Sequence, residues 1–172
     1  MITAVTLVAL GFVAGSALAN NWLTSNAKKA GDRDVYFWQC NLNDTVHDHF
    51  HHNDAHDIDP TDISTHLAHD CDIRDVGVED ATYGLDDPQG FYHCHELHSA
   101  DVCDKGEVHI NLSYPKLPED PDHTRSVVCE EIGHSVGLGH RSDRDSCMKS
   151  PSADSDSNHL DGHDKGHLDN HY

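Results

Sequence analysis

The run Cys129-Glu130-Glu131-Ile132-Gly133-His134-Ser135-Val136-Gly137-Leu138-Gly139-His140 limits what this chain can become more than any other segment. Upstream of it, Val127, Val128 and Ile132 carry helical spacing that begins near Asp122 behind a capping Asp or Thr, and the glycines cluster at the far end. That pattern predicts a helix of about three turns stopping near Gly137. Glu130 and His134 then stand one helical turn apart and face a common point, with Glu131 on the adjacent edge. A positive φ at Gly137 would let the chain double back and return His140 to the same point. Two imidazoles and a carboxylate converging with one position open is the donor set of a catalytic zinc ion. The chain holds 18 histidines, so an isolated pair six residues apart would mean little. The bland alternative is a glycine-capped helix with incidental histidines.

The remaining segments predict an α+β domain. Val35-Tyr36-Phe37-Trp38 reads as a buried strand. Leu42 to His56 reads as a surface helix with Val46 and Phe50 as its apolar stripe, ended by Pro60. Ile63–Leu67 and Ile73–Val78 alternate as strands do, and Phe91-Tyr92 and Val108 to Leu112 suggest two further strands, the second clearer because Val108, Ile110 and Leu112 alternate with polar residues. Pro115, Pro118 and Pro121 predict an extended connection. Beyond Ser150 the composition fits a disordered tail, yet His159, His163, His167 and His171 recur every four residues with Leu160 and Leu168 beside them, which favours a C-terminal helix. His52 and His56, and the C-terminal histidine row, have spacing that could collect a metal, but exposed helix positions explain both.

Residues 1–19 are uncharged, apolar through Val13, and end Ala17-Leu18-Ala19, which predicts a secretory signal peptide; an uncleaved anchor is the alternative. A polar linker over 20–33 and a folded domain over 34–172 follow. All six cysteines lie beyond the leader, an even number that suits disulfides in an exported, extracellular chain. The pairing expected is Cys40 with Cys71, Cys94 with Cys103 and Cys129 with Cys147, the last adding roughly 3 kcal/mol by loop closure. A net charge of −20 argues against nucleic acid and anionic membranes as partners, because both would repel the protein. A monomer is expected.

The segment from Glu130 to Met148 resembles the metzincin superfamily of zinc endopeptidases, whose signature is H-E-x-x-H-x-x-G-x-x-H followed by a methionine turn. Glu131, His134, Gly137 and His140 match at their spacings, and Met148 falls where the Met-turn would. The resemblance implies a zincin-like, matrixin-like fold: a twisted mixed sheet, an upstream surface helix, an active-site helix and a C-terminal helix after the Met-turn. It implies hydrolysis of protein or peptide substrates through a metal-bound water, with Glu131 as general base, His134 and His140 as Zn2+ ligands and Met148 as an apolar floor. It also implies that an extended substrate pairs with an edge strand, for which Phe91 to Cys94 is the candidate. Two departures stand out. Glu130 occupies the place of the first signature histidine, and Arg141 matches none of the residues that distinguish the familiar subfamilies.

Glu130 leaves two outcomes open. As a third ligand it gives a workable His2Glu site with a less electrophilic metal; alternatively it produces a catalytically impaired pseudoenzyme that binds proteins in its old cleft. A separate reading, from the wealth of Asp and His, is an extracellular binder of divalent cations, and the same acidity would suit life in high salt.

Overall fold

The computed structural model describes residues 29–68, 75–142, 145–149 and 157–172. The expected leader, most of the expected linker and Cys71 lie outside the described residues. Strands β1 (Lys29–Ala30), β2 (Asp34–Cys40), β3 (Ser64–Ala68), β4 (Val76–Ala81), β5 (Gly90–Leu97) and β6 (Val102–Asn111) form one mixed sheet. Helices α1 (Asp44–Asn53), α2 (Lys116–Glu119), α3 (Pro121–Ser135) and α4 (Gly162–His171) complete an α+β domain. Among the described residues no helix is long and apolar enough to cross a membrane.

Every strand pair is parallel except β5 with β6. Among the described residues β5 pairs with no named strand but β6, so the segment expected to be an edge strand lies at the edge of the sheet. β1 lies within the segment expected to be a linker, where Ala30 is fully buried beside Cys103. Alternation places Val108 and Ile110 in the core, as the hydrophobic pattern requires. Phe37 from β2 meets Phe50 from α1 edge to face at 5.4 Å, and Val46 is buried with it. Val127, Val128 and Ile132 of α3 fill the same core with Leu138, Met148, Leu160 and Leu168.

Several boundaries differ from expectation for physical reasons. α1 stops at Asn53 and continues as a π-helical turn, Asp54–Ile58, that drops Ile58 into the core. β5 and β6 are longer than their apolar cores because their outer halves carry His, Glu and Lys, which hide alternation. β4 runs on to Ala81 for the same reason. The expected extended connection through the prolines is instead the single turn α2 followed directly by α3. Pro118 sits at the third position of α2 and Pro121 at the first of α3, where a backbone N–H has no intrahelical partner to lose. The cap of α3 is Asp120, which accepts from His123 N at 3.2 Å. The Cys94–Cys103 and Cys129–Cys147 disulfides are both formed.

The C-terminal helix forms, although His159 precedes it. Asp57 of the π-helical turn anchors its approach, accepting from Leu160 N at 3.1 Å and pairing with Lys165 Nζ at 3.2 Å. Asp54 in the same turn is buried, and its Oδ1 accepts no hydrogen bond among the described residues. Burial pushes its pKa up to about 6, with a Thr65 hydrogen bond offsetting part of the effect. The folded state therefore retains a proton over roughly pH 4–6 that the unfolded chain releases, and the associated stability is lost as pH rises through 6. Asp54→Asn should gain on the wild type across that window. Chemical denaturation at pH 4 and pH 7 tests this, and a stability gap equal at both pH values would refute it.

Candidate metal centre

α3 delivers Glu130, Glu131 and His134 from its last two turns, and its C-terminus decides where His140 goes. Gly137 has φ 97°, the left-handed conformation anticipated from its position. Its N–H donates to His134 O at 3.0 Å, while Leu138 N donates to Gly133 O at 2.9 Å. Together these bonds form a Schellman cap, which reverses the chain within two residues and buries Leu138.

The reversal does three things at once. It sets the Leu138 carbonyl 2.8 Å from His134 Nδ1. A carbonyl only accepts, so Nδ1 carries the hydrogen and His134 Nε2 is left with its lone pair. It also brings His140 Nε2 to 3.0 Å from His134 Nε2 and 2.8 Å from Glu130 Oε1. Three donor atoms that could hold one cation therefore meet at one point, as the spacing required. Glu130 is almost wholly buried there, whereas half of the His140 side chain is exposed, so one side of the cluster is open to solvent.

The electrostatics follow from this burial. The hydrogen bond to Glu130 raises the His140 pKa, with desolvation opposing it. Burial lowers that of His134. Glu131 is buried beside Glu130, and desolvation first and the neighbouring carboxylate second push its pKa well above the usual range. Its Oε2 accepts no hydrogen bond among the described residues. The start of β5 runs against this side chain: a Cβ on Gly90 would stand 2.7 Å from Glu131 Cγ and 2.8 Å from its Oε1. Only a glycine permits the edge strand to approach the carboxylate so closely.

Met148 is fully buried under α3, where a Cβ on Gly133 would collide with its Sδ. The turn that carries it is held by residues whose roles the sequence did not betray. Arg141 is buried; its N–H donates to Met148 O at 2.9 Å, and its Nη1 reaches Asp164 Oδ1 at 2.9 Å and Asp161 Oδ1 at 3.2 Å. The Ser146 hydroxyl donates to the other Asp164 oxygen and accepts from Met148 N at 3.1 Å. The capping box of α4, Asp161 with Asp164, was the one local signal that could have pointed to this cluster.

The other histidines anticipated as alternatives do not assemble comparable sites. His52 and His56 lie with ring centroids 4.3 Å apart, and His163 Nε2 lies 3.1 Å from His167 Nε2. No third ligand atom joins either pair among the described residues.

No family model and no curated protein matches this chain. Among solved structures the chain is similar to archaemetzincin from Archaeoglobus fulgidus, determined in complex with malonate, with a TM-score of 0.44 and 10% identity over 77% of this chain and 98% of that one. A likeness at that level leaves the chemistry to be read from the side chains.

The contact between Gly133 and Met148 makes a direct prediction. Gly133→Ala forces Met148 to move and should cost about 1–3 kcal/mol, a drop in Tm of roughly 2–10 °C. Gly166→Ala, which meets nothing within 4 Å on α4, should leave Tm unchanged or slightly raised. Thermal melts of the two variants showing equal effects would contradict the packing described.

Proposed function

We propose that this protein is an exported zinc-dependent endopeptidase in which Glu130, His134 and His140 hold the ion and Glu131 handles the proton. The observation that carries this reading is the approach of His134 Nε2 and Glu130 Oε1 to His140 Nε2, at 3.0 and 2.8 Å, with the buried Glu131 carboxylate next to them. The donor set suits zinc, and the Leu138 carbonyl fixes the tautomer of His134 in the way outer partners orient ligating imidazoles. A zinc ion bound there supplies Lewis acidity to the reaction.

The chain's own residues supply the rest. A carboxylate held at raised pKa is a stronger base than a solvated one, so Glu131 is suited to take a proton from the attacking water and pass it to the leaving amine. β5, at the edge of the sheet among the described residues, is where an extended peptide can add as a further strand, and Gly90 brings that strand against Glu131. The disulfides support action outside the cytoplasm, in keeping with the apolar leader. Glu130 favours a modest rate, since an anionic ligand withdraws part of the electrophilicity that three neutral imidazoles would leave.

Replacing Glu131 by Gln tests the reading directly. Zinc content should be retained while hydrolysis of an unstructured protein substrate falls by roughly 10²–10⁴-fold. Glu130→His should keep the ion and raise the rate. Absence of hydrolysis in both the wild type and Glu130→His, with zinc bound, would sink the peptidase reading and leave a binding protein on this fold.

A further inference from the structure

On β5 and β6, a second group of histidine and glutamate side chains is built on strands and shares no residue with the α3 cluster. His95 of β5 and Glu107 and His109 of β6 bring one ligand atom each to within 4.8 Å of one another. His95 Nε2 lies 2.6 Å from Glu107 Oε2, and His109 Nε2 lies 3.3 Å from the same oxygen. Ligands around a tetrahedral zinc ion stand about 3.3 Å apart, so only a small outward movement of His95 separates this group from a coordination shell.

The far side of His109 shows that its ring is aimed. Nδ1 faces Glu79 Oε1 at 2.7 Å and the Tyr83 hydroxyl oxygen at 2.9 Å. Tyr83 donates its own hydrogen to Glu79 at 2.7 Å, so both neighbours are acceptors toward the ring. The hydrogen of neutral His109 therefore resides on Nδ1, and Nε2 points its lone pair at Glu107. Phe91 stacks on the ring at 4.3 Å and restrains it from the second side. A carboxylate behind an imidazole is the arrangement that orients and strengthens a metal-bound histidine.

His95 reaches the group through an irregularity in the ladder. His93 is the register partner of Glu107, but the register shifts between Cys94 and Glu96 and carries the next histidine across. Bulges re-aim side chains in this way. The Cys94–Cys103 disulfide staples the strands beside the shift, so the position of His95 is restrained before any ion arrives. His95 is half-exposed while His109 is nearly buried, which gives an entry path and an open fourth position for water.

We infer that His95, Glu107 and His109 form a second divalent-cation site, of zinc type, that pins the edge strand β5 to β6. Two imidazoles and one carboxylate select zinc over calcium or magnesium, whose sites are made of oxygen. Glu79 is a positioning residue there, acting through His109.

The test removes the α3 cluster first, so that the outcome is independent of the proposed peptidase. A full chain carrying His134→Ala and His140→Ala is titrated with Zn2+ against a competing chelator, which hides weak binding by paired surface histidines. It should retain about one tight zinc equivalent, and zinc should still raise its Tm. Adding Glu107→Gln or His95→Ala should weaken that binding at least ~10-fold and abolish the Tm rise, while Glu79→Gln weakens it by about 10–100-fold. Cobalt substitution should give a visible ligand-field spectrum that His109→Ala removes. The inference is overturned if the His134→Ala/His140→Ala chain holds no tight zinc, or if Glu107→Gln and His95→Ala leave its titration unchanged. A wild type that binds zinc only at the strand site would instead count against the α3 centre.

Discussion

The Schellman cap at the end of α3 is the constraint on which the α3 centre rests. A helix that continued beyond Ser135 would carry His140 away from Glu130, and a looser loop would have to spend conformational entropy to bring it back. Gly137 avoids both by taking a backbone conformation that costs other residues energy. The same two bonds that end the helix expose the Leu138 carbonyl to His134 Nδ1. Chain reversal and orientation of the His134 ring are thus one event.

A reversal alone does not fix His140, whose side chain is half-exposed. Its neighbour Arg141 does, because a buried guanidinium can sit only where its charge is met. Asp164 and Asp161 meet it from α4, and Ser146 shares Asp164 from the turn before Met148. Desolvating such a cluster consumes much of its Coulomb energy, so its contribution is better understood as a requirement of registry than as net stability. α4, His140 and Met148 must dock together or leave a charge stranded in the core. This gives the C-terminal helix a reason to exist that its own sequence, poor in apolar residues, does not supply.

Legibility in the sequence followed the range of the interaction. Glu130, His134, Gly137 and His140 could be read because their relation is helical periodicity plus one glycine, both local. The edge strand and the Cys94–Cys103 and Cys129–Cys147 pairings are legible too, while Cys71, expected to pair with Cys40, lies outside the described residues. The proline-rich connection is helical and not extended because at a first turn the N–H that proline lacks has no intrahelical partner to lose. The outer halves of β5 and β6 escaped notice because polar residues occupy both faces there, and periodicity has no contrast to report. Arg141 with Asp164, 23 residues apart, and His95 with Glu107, across a bulge, are tertiary pairs without any sequence period.

The contrast shows how a chain with so many histidines can still present distinct candidate metal sites. Proximity of imidazoles does not distinguish them, since His163 and His167 approach as closely as His134 and His140. What separates the two clusters is an acceptor behind a ring: the Leu138 carbonyl behind His134, and Glu79 behind His109. Each commits the rear nitrogen to its hydrogen and frees the front one, which faces His140 Nε2 in the first cluster and Glu107 Oε2 in the second. The His52–His56 and His163–His167 pairs have room for a cation, but among the described residues no acceptor stands behind their rings, so an ion there must also order two side chains. In a protein of net charge −20 every such site attracts cations at long range, and the rear acceptor is what converts attraction into a defined geometry.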